Sequence, residues 1–166
     1  MKYNLRRWRT GDSASVIKLM NNIHIWGTLS DNTPFPFTKE DANSFMKRAT
    51  SKCVDYDDYA ITIDEKVVGG ISFQRMAPPH HVVYDLSFWL NPEYRNKGIM
   101  TDALTSLLKH CFFHLPVMKV VAKVLEEDKA TAAVLTKVRF RQEALLEKVI
   151  LKNGNLSNLA VFSKTE

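Results

Sequence analysis

The chain has no apolar run of about 18 residues, and its first residues, Met1-Lys2-Tyr3-Asn4-Leu5-Arg6-Arg7, carry no apolar stretch of the kind a secretory leader needs. No membrane association is expected, and the cytoplasm is the expected location. Cysteine is scarce: Cys53 and Cys111 stand alone, without the spacing of a zinc site or a redox pair, so both are expected reduced and structural. His80 and His81 are adjacent with no third ligand at zinc spacing, and no metal is expected. Neither the nucleoside-triphosphate loop G-x-x-x-x-G-K-[ST] nor the dinucleotide pattern G-x-G-x-x-G occurs. Repeats, low-complexity tracts and Gly/Ser linkers are missing too, so residues 1–166 are expected to form a single domain.

What is present is a mildly basic globular composition. Lys and Arg number 23 against 18 Asp and Glu, a net charge of +5, and 45% of residues are apolar. Such an excess suits an anionic ligand. The basic residues are spread along the chain with no nucleic-acid-binding motif, so nucleic acid is not an expected partner. The group Arg6-Arg7-Trp8-Arg9 is equally the pattern of a half-buried edge strand.

Periodicity gives the element order. Tyr3–Arg9 reads as a strand. Thr10-Gly11-Asp12 turns into a helix with Val16, Ile17, Leu19, Met20 and Ile23 on its apolar side. Thr38 with Asp41 forms a capping box for a second helix carrying Ala42, Phe45, Met46 and Ala49. Tyr59–Ile63 and Val67–Phe73 flank Asp64-Glu65-Lys66 as a hairpin, and His81–Leu90 is the next strand. Ala103, Leu104, Leu107, Leu108, Cys111 and Phe112 mark a helix that stops before Pro116. A strand Val117–Leu125, a helix near Lys129–Val138 and strands Ala144–Leu151 and Ser157–Ser163 complete the chain. The last two are joined through Asn153-Gly154, a type I′ signal. The order β-α-α-β-β-β-α-β-α-β-β predicts an α/β fold with a mixed sheet, in which the strands flanking the third helix are parallel neighbours.

The most informative segment is Tyr94-Arg95-Asn96-Lys97-Gly98-Ile99-Met100-Thr101. A strand that breaks at Asn91-Pro92, followed by a short turn whose one glycine opens a helix, aims several backbone N–H groups at one spot, and an anion belongs there. The alternative is an ordinary helix start with solvated cations.

Arg95-x-x-Gly98-x-Met100 resembles the Gln/Arg-x-x-Gly-x-Gly/Ala loop of GNAT-superfamily acyltransferases. Leu5-Arg6-Arg7-Trp8, Tyr84–Leu90, Val134–Phe140 and Lys152-Asn153-Gly154, in this order, extend the likeness over nearly the whole chain. Within the superfamily the chain is similar to the branch of ribosomal-protein alanine N-acetyltransferases (RimJ/RimL-like). The resemblance implies a GNAT-like acyltransferase fold, an enzyme, acetyl-CoA as donor, and transfer to a primary amine of a protein N-terminus, such as a ribosomal protein, or of a small molecule. A non-catalytic acyl-CoA-binding module is the alternative. Either a monomer or a homodimer fits.

The implied cofactor residues are Arg95, Asn96, Lys97, Gly98, Ile99, Met100 and Thr101 at the pyrophosphate, with Arg95 and Lys97 adding charge, and Phe88, Trp89 and Leu90, whose strand supplies a main-chain N–H to the thioester carbonyl. The family's second element, Asn-x-x-Ser ahead of Gly-Phe, falls on Asp128, Thr131, Arg139 and Phe140. Three departures follow: Asp128 can only accept hydrogen bonds, Arg139 occupies a glycine position and is strained if φ is positive there, and the bulk of Met100 would widen the backbone's approach. Asp85 is the candidate base, on the strand face shared with Val83, Ser87 and Trp89, since a Glu at that position lines the acceptor cleft in related enzymes; a solvated strand carboxylate is the alternative. The tyrosine that serves many GNAT enzymes as acid would fall at Leu135, so no acid is evident. Acceptor specificity is expected in the loops Gly27–Phe37 and Arg75–Val82.

Overall fold

The structure, a computed structural model, describes residues 2–29, 33–51, 56–152 and 154–166. Its strands are β1 (Asn4–Arg7), β2 (Tyr56–Ile63), β3 (Lys66–Arg75), β4 (Val83–Leu90), β5 (Lys119–Leu125), β6 (Arg141–Lys152) and β7 (Asn155–Thr165). Its helices are α1 (Ser13–Met20), α2 (Ile23–Trp26), α3 (Lys39–Ala49), α4 (Ile99–His114) and α5 (Lys129–Lys137). The strands form one seven-stranded sheet in the order β1-β2-β3-β4-β5-β7-β6. β4 and β5 are the expected parallel pair, with Val83 opposite Lys119 and Asp85 opposite Val121. The chain divides into two compact units, Met1–Gln74 with Phe88–Ile99, and Arg75–Ser87 with Met100–Glu166.

In the first unit, β1 pairs antiparallel with β2, and β2 with β3. The β2–β3 turn is two residues, Asp64 and Glu65, both at positive φ (48° and 61°), the mark of a type I′ turn matched to strand twist. The core joins Trp8 to Val16 and Met20 on α1, Ile25 on α2 and Met46 on α3. The Thr38–Asp41 capping box forms as expected.

The first expected helix is broken. Instead of running through Ile23, α1 stops at Met20, and Asn22 caps a new short helix, its side chain accepting from the His24 N–H. The re-start turns Ile25 fully into the core and leaves Ile23 53% exposed. Asn21 lies at the break. Its amide accepts from the Phe37 N–H at 2.8 Å and donates to the Phe37 carbonyl at 2.9 Å, tying the end of α1 to the segment before α3. Smaller shifts also appear: the fourth strand begins at Val83 rather than His81, and β6 and β7 are longer than periodicity suggests.

The basic tetrad is internally paired. Arg6 grips Asp12 through two bonds of 2.7 and 2.8 Å, Arg7 pairs with Asp57 and lies over the Tyr59 ring, and Arg9 meets Glu65 at 3.4 Å.

In the second unit β7 pairs antiparallel with both β5 and β6. The β6–β7 turn closes between Lys152 and Asn155 with Gly154 at φ 77°, while Asn153 lies outside the described residues. On α4, Ala103, Leu104, Leu107, Leu108 and Cys111 are buried as the spacing predicts. Cys111 is buried and in no disulfide, and Cys53 lies outside the described residues.

Burial alone would raise the Asp12 carboxyl, but the Arg6 fork and the Arg9 N–H outweigh it and hold Asp12 below its ordinary range. A depressed carboxylate contributes stability that is complete above its unfolded value, about 3.9, and is lost as pH falls through the folded value. Asp12→Asn is therefore expected to cost about 3 kcal/mol in urea unfolding at pH 7. The deficit should shrink at pH 3; an equal deficit at both pH values would show that the carboxylate charge is not what holds this junction.

Candidate active site

The carboxyl end of β4 is seated by two glycines on β3. A Cβ on Gly69 would lie 2.8 Å from the Trp89 carbonyl oxygen, and one on Gly70 would lie 2.8 Å from Trp89 Nε1. Only hydrogen at both positions lets β4 lie this close. Trp89 stacks on Trp8 at 6.3 Å between ring centroids, and Trp8 meets Phe45 edge-on at 5.1 Å. The chain leaves β4 through Asn91, whose N–H donates to the Val68 carbonyl at 2.8 Å and whose side chain accepts from the Glu93 N–H, starting a 3₁₀ turn over Pro92–Tyr94.

After that turn the backbone is extended at Arg95 and then left-handed at Asn96 (φ 59°) and Gly98 (φ 77°) before α4 begins at Ile99. Asn96, Lys97 and Gly98 are exposed, and a Cβ built on Gly98 would meet nothing within 4 Å. The N–H groups from Gly98 to Thr101 begin a 16-residue helix and have no acceptor one turn earlier in it. Left-handed turns and a helix N-terminus each concentrate positive potential, and their combination suits an anion. Ile99 and Met100 are buried and offer the site only their backbone. Met100, whose bulk was expected to widen the backbone's approach, packs its side chain inward.

The two cations of the loop also hold its shape. Arg95 is half-buried and donates through Nε to the Leu90 carbonyl at 3.2 Å and through Nη2 to the His24 carbonyl at 2.9 Å. It therefore clamps the end of β4 to α2. Lys97 Nζ donates to the Glu93 carbonyl at 2.8 Å and lies 5.3 Å from the centre of the Tyr94 ring.

Phe88 and Trp89 are half-buried and Leu90 is buried; all three lie past the last β4–β5 pair, Asp85 opposite Val121. Asp85 belongs to the second unit. Its Oδ2 accepts from Lys123 Nζ on β5 at 3.0 Å, with the two side chains 36% and 46% exposed. A pair this open is worth about 0.2–1 kcal/mol and leaves Oδ1 to accept another hydrogen bond.

Asp128 and Thr131 form the N-cap of α5. Asp128 accepts from the Thr131 N–H at 3.0 Å and from the Thr131 hydroxyl at 2.6 Å. At the other end of α5, Phe140 N–H bonds the Leu135 carbonyl at 2.9 Å and Arg139 N–H bonds the Thr136 carbonyl at 3.0 Å, the paired bonds of a Schellman cap. Arg139 sits at φ 67°, so the position has the left-handed conformation that the family's glycine there implied. Leu135 is fully buried.

Three contributors went unread in the sequence: the Gly69-Gly70 seat, the Asn91 bond to β3 and the His24 carbonyl that receives Arg95. Adjacent glycines inside a strand pattern were a usable signal, because they mark a close backbone approach. The other two depend on tertiary neighbours.

Arg139→Gly should relieve about 1 kcal/mol of left-handed strain at the α5 cap and raise Tm by roughly 2–4 °C. Arg139→Ala, which keeps a Cβ, should not. A calorimetric scan in which both variants melt together would remove the strain.

Comparison with known proteins bears on this geometry. Residues 2–141 match the family described as Acetyltransferase (GNAT) domain. An uncharacterized N-acetyltransferase of Bacillus subtilis, YnaD, is 26% identical over 119 residues, covering 72% of this chain and 68% of the relative. Among solved structures, the ribosomal-protein-S5-alanine acetyltransferase of Vibrio fischeri superposes with a TM-score of 0.87 at 19% identity, covering 99% of this chain and 93% of that one. RimJ of Mycobacterium smegmatis, solved with a CoA-disulfide, gives a TM-score of 0.84 at 23% identity, covering 98% and 81%. At such identities the structural likeness speaks for the fold, and the family match over most of the chain speaks for descent: the chain belongs to the GNAT acetyltransferase family.

Proposed function

We propose that the protein is an acetyl-CoA-dependent N-acetyltransferase whose acceptor is a primary amine, either a protein N-terminus such as that of a ribosomal protein or a small molecule, and that residues 1–166 work as one catalytic domain. The observation that carries the reading is the open turn Asn96–Gly98 at the start of α4, with two left-handed residues and clear space over Gly98. It fits a pyrophosphate: the backbone from Gly98 to Thr101 would donate to its oxygens, and Arg95 and Lys97 would contribute charge while bracing the loop. Solved relatives carry the corresponding ligands, CoA in one RimL structure and acetyl-CoA with AMP in the MccE structure.

Acetyl-CoA supplies an activated thioester carbonyl. The chain's part is to hold it, to place a main-chain N–H from Phe88–Leu90 where negative charge develops on that oxygen, and to accept a proton from the attacking amine. Phe88–Leu90 suit the second task because they lie beyond the β5 pairing. Asp85 is the proposed proton acceptor, through Oδ1, with Lys123 fixing its other oxygen. A lysine-type amine, with a pKa of about 10.4, needs this help more than an α-amine at about 7.7–8.0. Leu135, buried in α5, offers no acid, so the thiolate leaves on its own low basicity or takes its proton from water. Asp128 and Thr131 would border the pantetheine arm while capping α5. Location in the cytoplasm goes with this reading.

Acetyl-CoA at one hundred times its Kd should stabilise the fold by about 2.7 kcal/mol, while ATP and NAD should do much less. An unchanged Tm at millimolar acetyl-CoA would overturn the assignment. Release of CoA thiol in the presence of an amine panel separates the enzyme from a non-catalytic acyl-CoA-binding module, the second reading that the same cradle permits.

Once an acceptor is found, Asp85→Asn should lower kcat by roughly 10²–10⁴-fold with acetyl-CoA affinity nearly unchanged, and the loss should shrink as pH rises and the amine deprotonates unaided. Activity within twofold of wild type would make Asp85 a solvated carboxylate.

A further inference from the structure

His110 and His114 stand one turn apart near the carboxyl end of α4, both exposed, with ring centroids 4.6 Å apart and planes inclined by 44°. Among the described residues neither imidazole takes part in a hydrogen bond or ion pair. The edge-on contact of Phe113 with His114, 4.9 Å between centroids at 77°, covers one side of that ring, although Phe113 is itself 81% exposed. Nothing in the acetyltransferase reading uses this face.

We propose that His110 and His114 form a surface site for a borderline divalent transition-metal cation, with Cu²⁺ the preferred ion. Residues four apart on a helix project side by side, and two imidazoles so placed can both reach one ion at about 2.0–2.1 Å from each nitrogen. The helix terminus adds the right sign of charge, because the last-turn carbonyls make this the negative end of α4 and favour a cation. No group of three His, Cys, Asp or Glu able to hold a metal occurs among the described residues, so the protein gives two ligands and water completes the sphere. That open coordination selects by intrinsic affinity: Cu²⁺ binds ahead of Ni²⁺ and Zn²⁺, with Mn²⁺ weakest. Mg²⁺ and Ca²⁺, which need oxygen ligands, are excluded.

The test is calorimetric titration of the untagged full chain with CuCl₂, NiCl₂ and ZnCl₂ in a non-chelating buffer. The expected result is one Cu²⁺ per chain, bound more tightly than Zn²⁺. Because two linked ligands gain about a hundredfold or more over one, His110→Gln and His114→Gln should each weaken binding by that factor. Replacing both His80 and His81 with Gln should leave it unchanged. Wild-type affinity in either α4 variant, loss of binding in the His80/His81 variant, or no saturable binding at all would overturn the site. The α4 variants exchange exposed side chains, and a melting curve matching wild type in the absence of metal confirms that the fold is retained.

Discussion

The seat of Trp89 on Gly69 and Gly70 is the contact on which the site depends. Two absent side chains on β3 let the end of β4 approach until its own carbonyl and indole occupy the space that Cβ atoms would fill. Trp89 then stacks on Trp8, which follows β1 and is itself braced by Phe45 on α3. Elements far apart in sequence thereby fix where β4 stops. The glycines cost conformational entropy, about 0.5–1 kcal/mol each, and the packed indoles offset it through buried apolar area.

From that fixed end the cradle follows by short, local steps. Asn91 ties the chain back to β3, Pro92 starts one 3₁₀ turn, and left-handed residues at 96 and 98 reverse it into α4. Buried Ile99 and Met100 anchor the first turn of that helix from beneath. Arg95 has a double part. Its position suggests a phosphate ligand, yet its donors reach carbonyls of Leu90 and His24, which makes it the brace between β4 and α2. A preorganised backbone cradle needs such bracing more than it needs one further charge, because rigid N–H groups lose no entropy when an anion arrives.

Polar residues elsewhere show the same economy. Asp128 and Thr131, proposed to border the pantetheine arm, cap α5. A side chain that stabilises a helix start is already held still, which suits it to a second task at a ligand. Arg139 shows the opposite case: a Schellman cap that keeps its geometry and both hydrogen bonds while tolerating a side chain where glycine is relaxed.

Much of the fold was legible in the residues because its causes are local. The Thr38–Asp41 capping box, the α4 stripe from Ala103 to Cys111 and the parallel β4–β5 crossover all follow from periodicity, capping chemistry or chain connectivity, while the positive φ at Arg139 was suggested only by the family resemblance. The turn into α4 was legible for the same reason, since Gly98 and the helix it opens are neighbours in sequence. What tertiary structure alone decided came through contacts across the chain. The first helix stops at Met20, Asn21 bonds Phe37, and Ile25 rather than Ile23 enters the core. Lys123 engaged the Asp85 carboxylate, Met100 turned inward, and the Arg95 guanidinium went to carbonyls five and seventy-one residues away in sequence. Composition and spacing specify which side chains are available and what conformations they favour; which partner each one meets is set by packing, because a hydrogen bond or ion pair forms only where burial has brought two groups within reach.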